Sequence, residues 1–448
     1  MAADVAALTW LEKASLRRRS ASGGSAMTEE RAARTITRSQ VVGVSLGNAL
    51  EFYDFLVFSF FAVQIGQCFF PATNPQSSLL LALATFGAGF LTRPLGAFVI
   101  GSLGDRLGRR PMMLLSFGMI GLSTLGVAIT PSYAAIGLAA PIAVILFRLV
   151  QGFALGGEVG TSTAFLAEAA PTEKRGWYIS MQFVGQGAAT LLAGAIGVLL
   201  AAVMDDTALS SWGWRIAMAI GAATVPVGLA LRRTLPETLH ETVSAAVAPP
   251  MRSYATVAMF GFVAMLSATI GTYVLNYMTT FAKATLGMPS GVALGATIAV
   301  GLGNVIGSAL GGWFSDTHGR RPWMIWPMLA LAIGTLPAFW WLVGEPKAST
   351  LYAVSFGLRV LLSIAAVSAF IAVTEALPMR VRSGAVAIVY ALAISIFGGS
   401  TQFVIAWLTG VTGNPLSPAW YMFGATLLGL VAMAFARETA PAKAPASP

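Results

Sequence analysis

The chain has 448 residues, of which 56% are hydrophobic and 10% charged. Soluble domains carry about 25% charged residues, so this composition cannot build a water-facing surface and excludes a string of soluble domains. The formal charge of +9 would point to nucleic acid in a soluble protein, but here its placement along the chain decides what it means. One cysteine, Cys68, excludes an internal disulfide and a multi-cysteine metal site.

Residues 1–39 are polar and basic, with LRRRS at 16–20, and lack the apolar core of a signal peptide. They hold too little apolar surface to fold and are expected to form a disordered arm. Apolar runs of about bilayer-spanning length, about 20 residues, then recur near 40–66, 78–101, 111–130, 137–168, 177–203 and 213–232. A charged linker at 233–252 leads to a second set near 253–282, 290–313, 322–343, 350–376, 384–411 and 418–436. Residues 438–448 are expected to be a disordered tail. Twelve of the 27 basic residues fall in one set of alternate short loops and three near the opposite loops. That bias is the positive-inside signature and predicts both termini on the cytoplasmic side.

The two sets echo each other. GSLGDRLGRRP at 101–111 is answered by GGWFSDTHGRRP at 311–322, which places Asp105 and Asp316 211 residues apart. Arg148 and Arg359 share that spacing, and FLAEAAPTEKRG around Glu168 is answered by AVTEALPMRVRSG around Glu375. Same-orientation repeats of half the chain suggest halves at 40–232 and 253–437, related by an axis along the membrane normal.

At these residues the chain resembles the major facilitator superfamily, whose Gly-x-x-x-Asp-Arg-x-Gly-Arg-Arg loop motif stands here as GSLGDRLGRR. GNALEFYDFLVFSFF, FLTRPLGAFVIG, RLVQGFALGGEVG, SWGWRIAMAIG and SIFGGSTQF look like its metabolite:proton symporter family, with the citrate–proton and tricarballylate symporters nearest. The resemblance implies an all-α integral membrane fold, with twelve transmembrane helices in two pseudo-symmetric six-helix halves. It also implies proton-coupled uptake of a small organic anion at a bacterial inner membrane. The same family moves 2-oxoglutarate, shikimate and zwitterions such as proline and betaine, so the substrate stays open. A non-transporting sensor on the same fold is the reading from another class. The short tail argues against an osmosensor and the short linker against a sensor. A monomer is expected, with lipid, substrate and protons as partners and no nucleic acid.

Ionised side chains cost roughly 2.5–3.5 kcal/mol each at the centre of a membrane helix, so Glu51, Asp54, Arg93, Arg148, Glu158 and Arg359 should face partners or a wet cavity. Glu51 and Asp54 share a helix face at i and i+3. Two carboxylates so close in a low dielectric should not both ionise readily, which makes the pair a proton-coupling candidate. The other reading is an ion pair with Arg93 or Arg148. Arg148 and Arg359, at matching positions, suit a di- or tricarboxylate through their guanidinium forks. Alternatively Arg148 is held by Glu158 or by the first-span acids. Tyr273, Asn276 and Tyr277 fall on one stripe and join Gln151 as substrate-site candidates, with Gln186 and Gln402 behind them.

Arg93, in TRPLG, marks a bending point and is assigned a structural, gate-side role. The loop residues Gly101, Asp105, Arg106, Gly108, Arg109 and Arg110, with Glu168 and Arg175, form the latch that the resemblance implies for closing the cytoplasmic side. Asp316, Arg320, Arg321 and Glu375 form its second copy, expected to be weaker or differently partnered because no arginine follows Asp316. GLGNVIG at 301–307 lies inside a membrane helix and reads as close helix contact, not a dinucleotide fingerprint. No Walker A sequence, metal-ligand spacing or nucleophile–base pair stands out. No cofactor, metal or enzymatic activity is expected, and the proton is the coupling ion.

Overall fold

The computed structural model describes residues 49, 52–107, 109–156, 166, 170–233, 255–377, 388–436 and 438–440. Among them the chain is helical throughout, with no strand. Helices α1 (Phe52–Phe60) and α2 (Ala62–Phe69) meet at a 71° bend. α3 (Pro75–Leu91) starts where the Asn74 side chain accepts from the Gln76 N–H and proline takes the first helical position. α4 (Arg93–Leu107), α5 (Arg109–Ile129), α6 (Ala139–Leu155), α7 (Arg175–Val203) and α8 (Trp214–Arg233) complete the first set. The second comprises α9 (Ala255–Asn276), α10 (Ser290–His318), α11 (Arg320–Gly344), α12 (Ala348–Ala376), α13 (Ile388–Thr412) and α14 (Ser417–Ala434).

The described residues of each of the twelve expected spans are largely helical. Among the described residues, eight helices are long and apolar enough to cross a membrane, or nine if the bent α1–α2 pair is one span. Leu91, Phe98, Val203 and Trp340 stand exposed on outward faces, as expected of surfaces solvated by lipid rather than water. Buried apolar side chains form two clusters, one drawn mainly from α1–α8 and one mainly from α9–α14.

Close helix approach is bought with glycine. At Gly152 on α6 a Cβ would collide with the Gly89 carbonyl of α3, and at Gly156 with the Arg93 carbonyl of α4. Along this seam the Arg148 carbonyl abuts Gly89 and the Arg93 carbonyl abuts Gly156. A second seam, Gly187 and Gly194 on α7 against Gly301 on α10, joins the two helix sets. The glycines of GLGNVIG accordingly serve packing: Gly303 and Gly307 let α10 sit against Arg359, Val360 and Ser363 of α12. Between α10 and α11 the chain turns at Gly319 with φ of 99°, a conformation that side chains with a Cβ rarely adopt.

At the expected bending point the helical run is interrupted for one residue, Thr92, within a single span over Pro75–Ile100. α3 ends at Leu91, the Thr92 hydroxyl donates to the Leu149 carbonyl at 2.7 Å, and α4 restarts at Arg93 with Pro94 behind it. The tail departs from expectation at its start. Glu438 accepts from the Arg320 and Arg321 N–H groups at 2.8 and 3.0 Å, capping α11, and the Thr439 hydroxyl donates to Glu375 at 3.0 Å. Orphan N–H groups at a helix start attract a carboxylate, so these residues dock instead of trailing free. Residues 1–39, the 234–252 part of the linker, and 441–448 lie outside the described residues.

Gly152→Val should force α3 and α6 apart at a backbone contact with no side chain to yield. The expected cost is at least about 1–3 kcal/mol, read as a lowered midpoint in a thermal unfolding series in detergent.

Candidate functional site

A hollow of about 70 Å3 lies between the two helix sets, large enough for several waters. Its walls include Gln186 of α7, Tyr273 of α9, Asn304 of α10, Arg359 and Ser363 of α12, and Tyr390 of α13. Arg359 is 7% exposed, and its Nε and Nη1 have no hydrogen-bond partner. No carboxylate of the described residues lies within ion-pair distance of it. Asn304 is held firmly: its Oδ1 accepts from Ser363 at 2.9 Å and Ser308 at 3.2 Å, while its Nδ2 donates to the Phe183 carbonyl at 3.3 Å.

Arg148 lies outside this hollow. It is 1% exposed, and its guanidinium sits 4.5 Å from the Phe58 ring centroid and 4.9 Å from that of Phe55. Its Nη1 donates to the Gln151 Oε1, whereas Nε and Nη2 are unpartnered. Gln151 Nε2 donates to the Thr124 hydroxyl at 3.1 Å, and Thr124 donates to Asp54 Oδ2 at 3.2 Å. A hydrogen-bonded chain, Arg148–Gln151–Thr124–Asp54, thus links α6 to α1 through α5. Asp54 is 1% exposed, pressed against Gly221 of α8, and its Oδ1 accepts no hydrogen bond.

Several expectations need correction. Arg148, Arg359 and Asp54 do not share one hollow: Arg359 lines it, whereas Arg148 sits among Phe55, Phe58 and Phe86 and Asp54 is buried against Gly221 of α8. Asp54 makes no direct ion pair with Arg93 or Arg148, because Thr124 and Gln151 stand between it and Arg148. Tyr273 reaches the hollow, but Asn276 and Tyr277 do not. They continue the stripe of Ala268, Thr269, Thr272 and Tyr273 one turn beyond its end, and Tyr277 packs in apolar core. Of the secondary candidates, Gln186 lines the hollow and Gln402 accepts from Ser59 at 2.9 Å, across the two sets. Glu51 and Glu158 lie outside the described residues. Thr124, Asn304, Ser363 and Tyr390 were missed, since a single small polar residue or tyrosine in an apolar run gives no periodic signal.

Polar contacts cross the bundle at both ends. At one end Asp316, closing α10, accepts from the Gly176 and Trp177 N–H groups at the start of α7, at 2.9 and 2.8 Å. Arg320, 1% exposed, pairs with Asp316 at 2.9 Å and, through both arms of its fork, with Glu375 at 2.9 and 3.0 Å. Arg175 stands 3.8 Å from Glu375. In the second motif copy Arg320, four residues after Asp316 as Arg109 is after Asp105, carries these pairs. Arg321 donates to the Ala434 carbonyl at 3.0 Å. Burial would raise the Glu438 carboxyl, but four backbone N–H donors hold it below the usual range. In the first copy Gly101, Asp105, Arg106, Arg109 and Arg110 fall on helical backbone whose side chains lie outside the described residues, as do Gly108 and Glu168 entirely.

At the other end Asp206, in the loop after α7, accepts from Ser290 of α10 at 2.6 Å and pairs with Lys283 at 3.3 Å. Hydrogen bonds from Ser290 and Lys283, and then the lysine charge, hold its carboxyl below the usual aspartate range.

Membrane helices enclosing a hollow walled by an unpaired guanidinium, with polar bridges at both ends of the bundle, have the layout of a solute carrier. A family model described as "Sugar (and other) transporter" matches residues 41–247. The chain is 36% identical over 410 residues to the citrate-proton symporter of Salmonella typhi, covering 90% of this chain and 94% of that protein. It is 36% identical over 403 residues to the alpha-ketoglutarate permease of Escherichia coli (strain K12), covering 88% and 91%. The fold matches the partially occluded, inward-open xylose transporter XylE from E. coli with a TM-score of 0.71 at 19% identity, over 90% of this chain and 98% of that one. The chain belongs to the major facilitator superfamily, in its metabolite:proton symporter family, and is a multi-pass membrane protein.

Two outcomes follow from the bridges. Arg320→Met should destabilise the protein by about 3–5 kcal/mol, since two buried carboxylates lose their partner, measured by thermal unfolding. Because the Asp206 carboxyl is lowered in the folded protein, its contribution is present above the ordinary aspartate value, about 3.9, and is lost as pH falls through the folded one. The stability gap between wild type and Asp206→Asn should therefore stay constant from neutral to mildly acidic pH and close in stronger acid. As an exposed pair it should be at most about 1 kcal/mol.

Proposed function

We propose that the protein is a proton-coupled symporter that takes up a di- or tricarboxylate, such as citrate or tricarballylate, by alternating access. The observation that carries this reading is Arg359: a permanent cation, buried on the wall of a central hollow, with donors free and no carboxylate of the described residues beside it. A planar fork of donors in a dry site suits a carboxylate. Tyr273 supplies a hydroxyl on the same wall.

Asp54 is the proton carrier. Its hydrogen-bonded link to Arg148 gives the proton a route to influence a buried cation beside the hollow without touching it. Symport suits an anion, because an inside-negative membrane opposes entry by about 2.3 kcal/mol per charge per 100 mV and co-entering protons cancel that charge. The Asp316–Arg320–Glu375–Arg175 network serves as the cytoplasmic latch, with the first motif copy as its counterpart. Asp206, Lys283 and Ser290 close the outer side. The protein sits in a bacterial inner membrane with both termini cytoplasmic. The two relatives with carboxylate-transporting names support this substrate class.

Proteoliposomes should accumulate citrate or tricarballylate when an inward proton gradient is imposed, and Asp54→Asn should abolish accumulation while leaving exchange of preloaded substrate. Uptake indifferent to a protonophore would remove proton coupling from the mechanism.

A further inference from the structure

Arg93 was expected to be a structural residue, yet its surroundings are those of a ligand site. It is 7% exposed, its Nε is unpartnered, and its guanidinium lies 4.2 Å from the Phe90 ring centroid and 4.7 Å from that of Phe55. The same Phe55 ring carries Arg148 at 4.9 Å. Two cations that repel each other thus share one aromatic side chain. The glycine seam between α3–α4 and α6 holds them there, whatever the repulsion.

Tyr273 connects this pair to the hollow. Its ring packs on Phe86 and Phe90, at 6.1 and 5.6 Å between centroids, while its other side faces the space lined by Arg359. The tyrosine is within electrostatic reach of Arg93, Arg148 and Arg359 alike. Three guanidiniums from α4, α6 and α12 therefore converge on one partition between the helix sets. Among the described residues no carboxylate pairs directly with any of the three, and Asp54 reaches Arg148 only through Thr124 and Gln151.

Aromatic faces attract a desolvated cation, but they do not neutralise it. A carboxylate meeting the fork through two charge-assisted hydrogen bonds binds more strongly. The rings keep the arginines in place and leave them ready to exchange π contacts for anionic ones.

We propose that Arg93 is a substrate-binding residue, and that with Arg148 and Arg359 it forms a three-guanidinium seat, parted by Tyr273, for an anion bearing two or three carboxylates. This rests on the carboxylate-carrier reading above and adds the residues that would answer the ligand's two or three carboxylates. A monocarboxylate leaves most of the positive charge unanswered, and a zwitterion adds to it.

The test uses the full-length protein in proteoliposomes, with labelled tricarballylate as probe and glutarate, butyrate and betaine as competitors. In wild type, tricarballylate should compete best, glutarate next, and butyrate and betaine weakly. Arg93→Gln should weaken tricarballylate about tenfold or more and glutarate by no more than about threefold, the expected range for one lost charged contact. Arg93→Lys keeps the charge without the fork. It should fall between wild type and Arg93→Gln, and it carries the test alone if the glutamine variant is not recovered. Equal weakening of both anions, or none, would make Arg93 a brace and overturn the proposal. Wild type that accepts betaine or butyrate as well as tricarballylate would overturn the valency argument while leaving a transporter. Wild type that takes up tricarballylate in no condition and binds no carboxylate would remove the carrier reading itself, and this inference with it.

Discussion

A guanidinium buried in an apolar bundle without a carboxylate at its side is the constraint around which this protein is arranged. Removing such a cation from water costs several kcal/mol even after the surroundings relax. The fold meets part of that cost with aromatic rings around Arg93 and Arg148, and part with a hydrogen-bonded chain through Gln151 and Thr124 to Asp54. Arg359, which lines the hollow, has less: its buried Nε and Nη1 are unpartnered. Stability alone would favour replacing these side chains with leucine. Their retention at mid-bundle makes sense if an anion completes the site during the cycle.

The contacts that hold the bundle are graded to match. Seams that must not move are made of glycine against backbone, as where Gly152 and Gly156 meet α3 and α4. Contacts at the two ends are polar and can be exchanged for water. Asp316 draws α7 toward α10 through two backbone N–H groups, and Asp206 does the same at the far end through Ser290 and Lys283. A carrier that opens alternately to either side needs rigid blocks joined by contacts of modest strength, since a ligand shifts a conformational equilibrium only by its differential affinity for the two states.

Much of this was legible beforehand where the signal was either composition or a charge in the wrong place. The apolar runs forecast stretches of helix, and Arg148 and Arg359, equally spaced from the motif copies, both lie buried within helices. Asn276 and Tyr277 show the limit. Their helical face was read correctly, but periodicity carries no information about where along a stripe a cavity stops. Thr124 shows another: a threonine in GLSTLG looks like any small residue in a membrane helix until Asp54 and Gln151 are found on either side of it. Glu438 looked like the first residue of a tail because its partners, the N–H groups of Arg320 and Arg321, are more than a hundred positions away.

The linear order of residues established what surrounds the chain and what must be hidden from it. Hydrophobic run length and misplaced charge obey the energetics of a bilayer, which act locally and can be read a helix at a time. Which hidden charges meet, and through what, was settled in three dimensions. Phe55 between two arginines, Tyr273 as a partition, and Thr124 as a link each depend on helices distant in the chain coming together along glycine seams. No one-dimensional pattern encodes a distance between side chains on different helices.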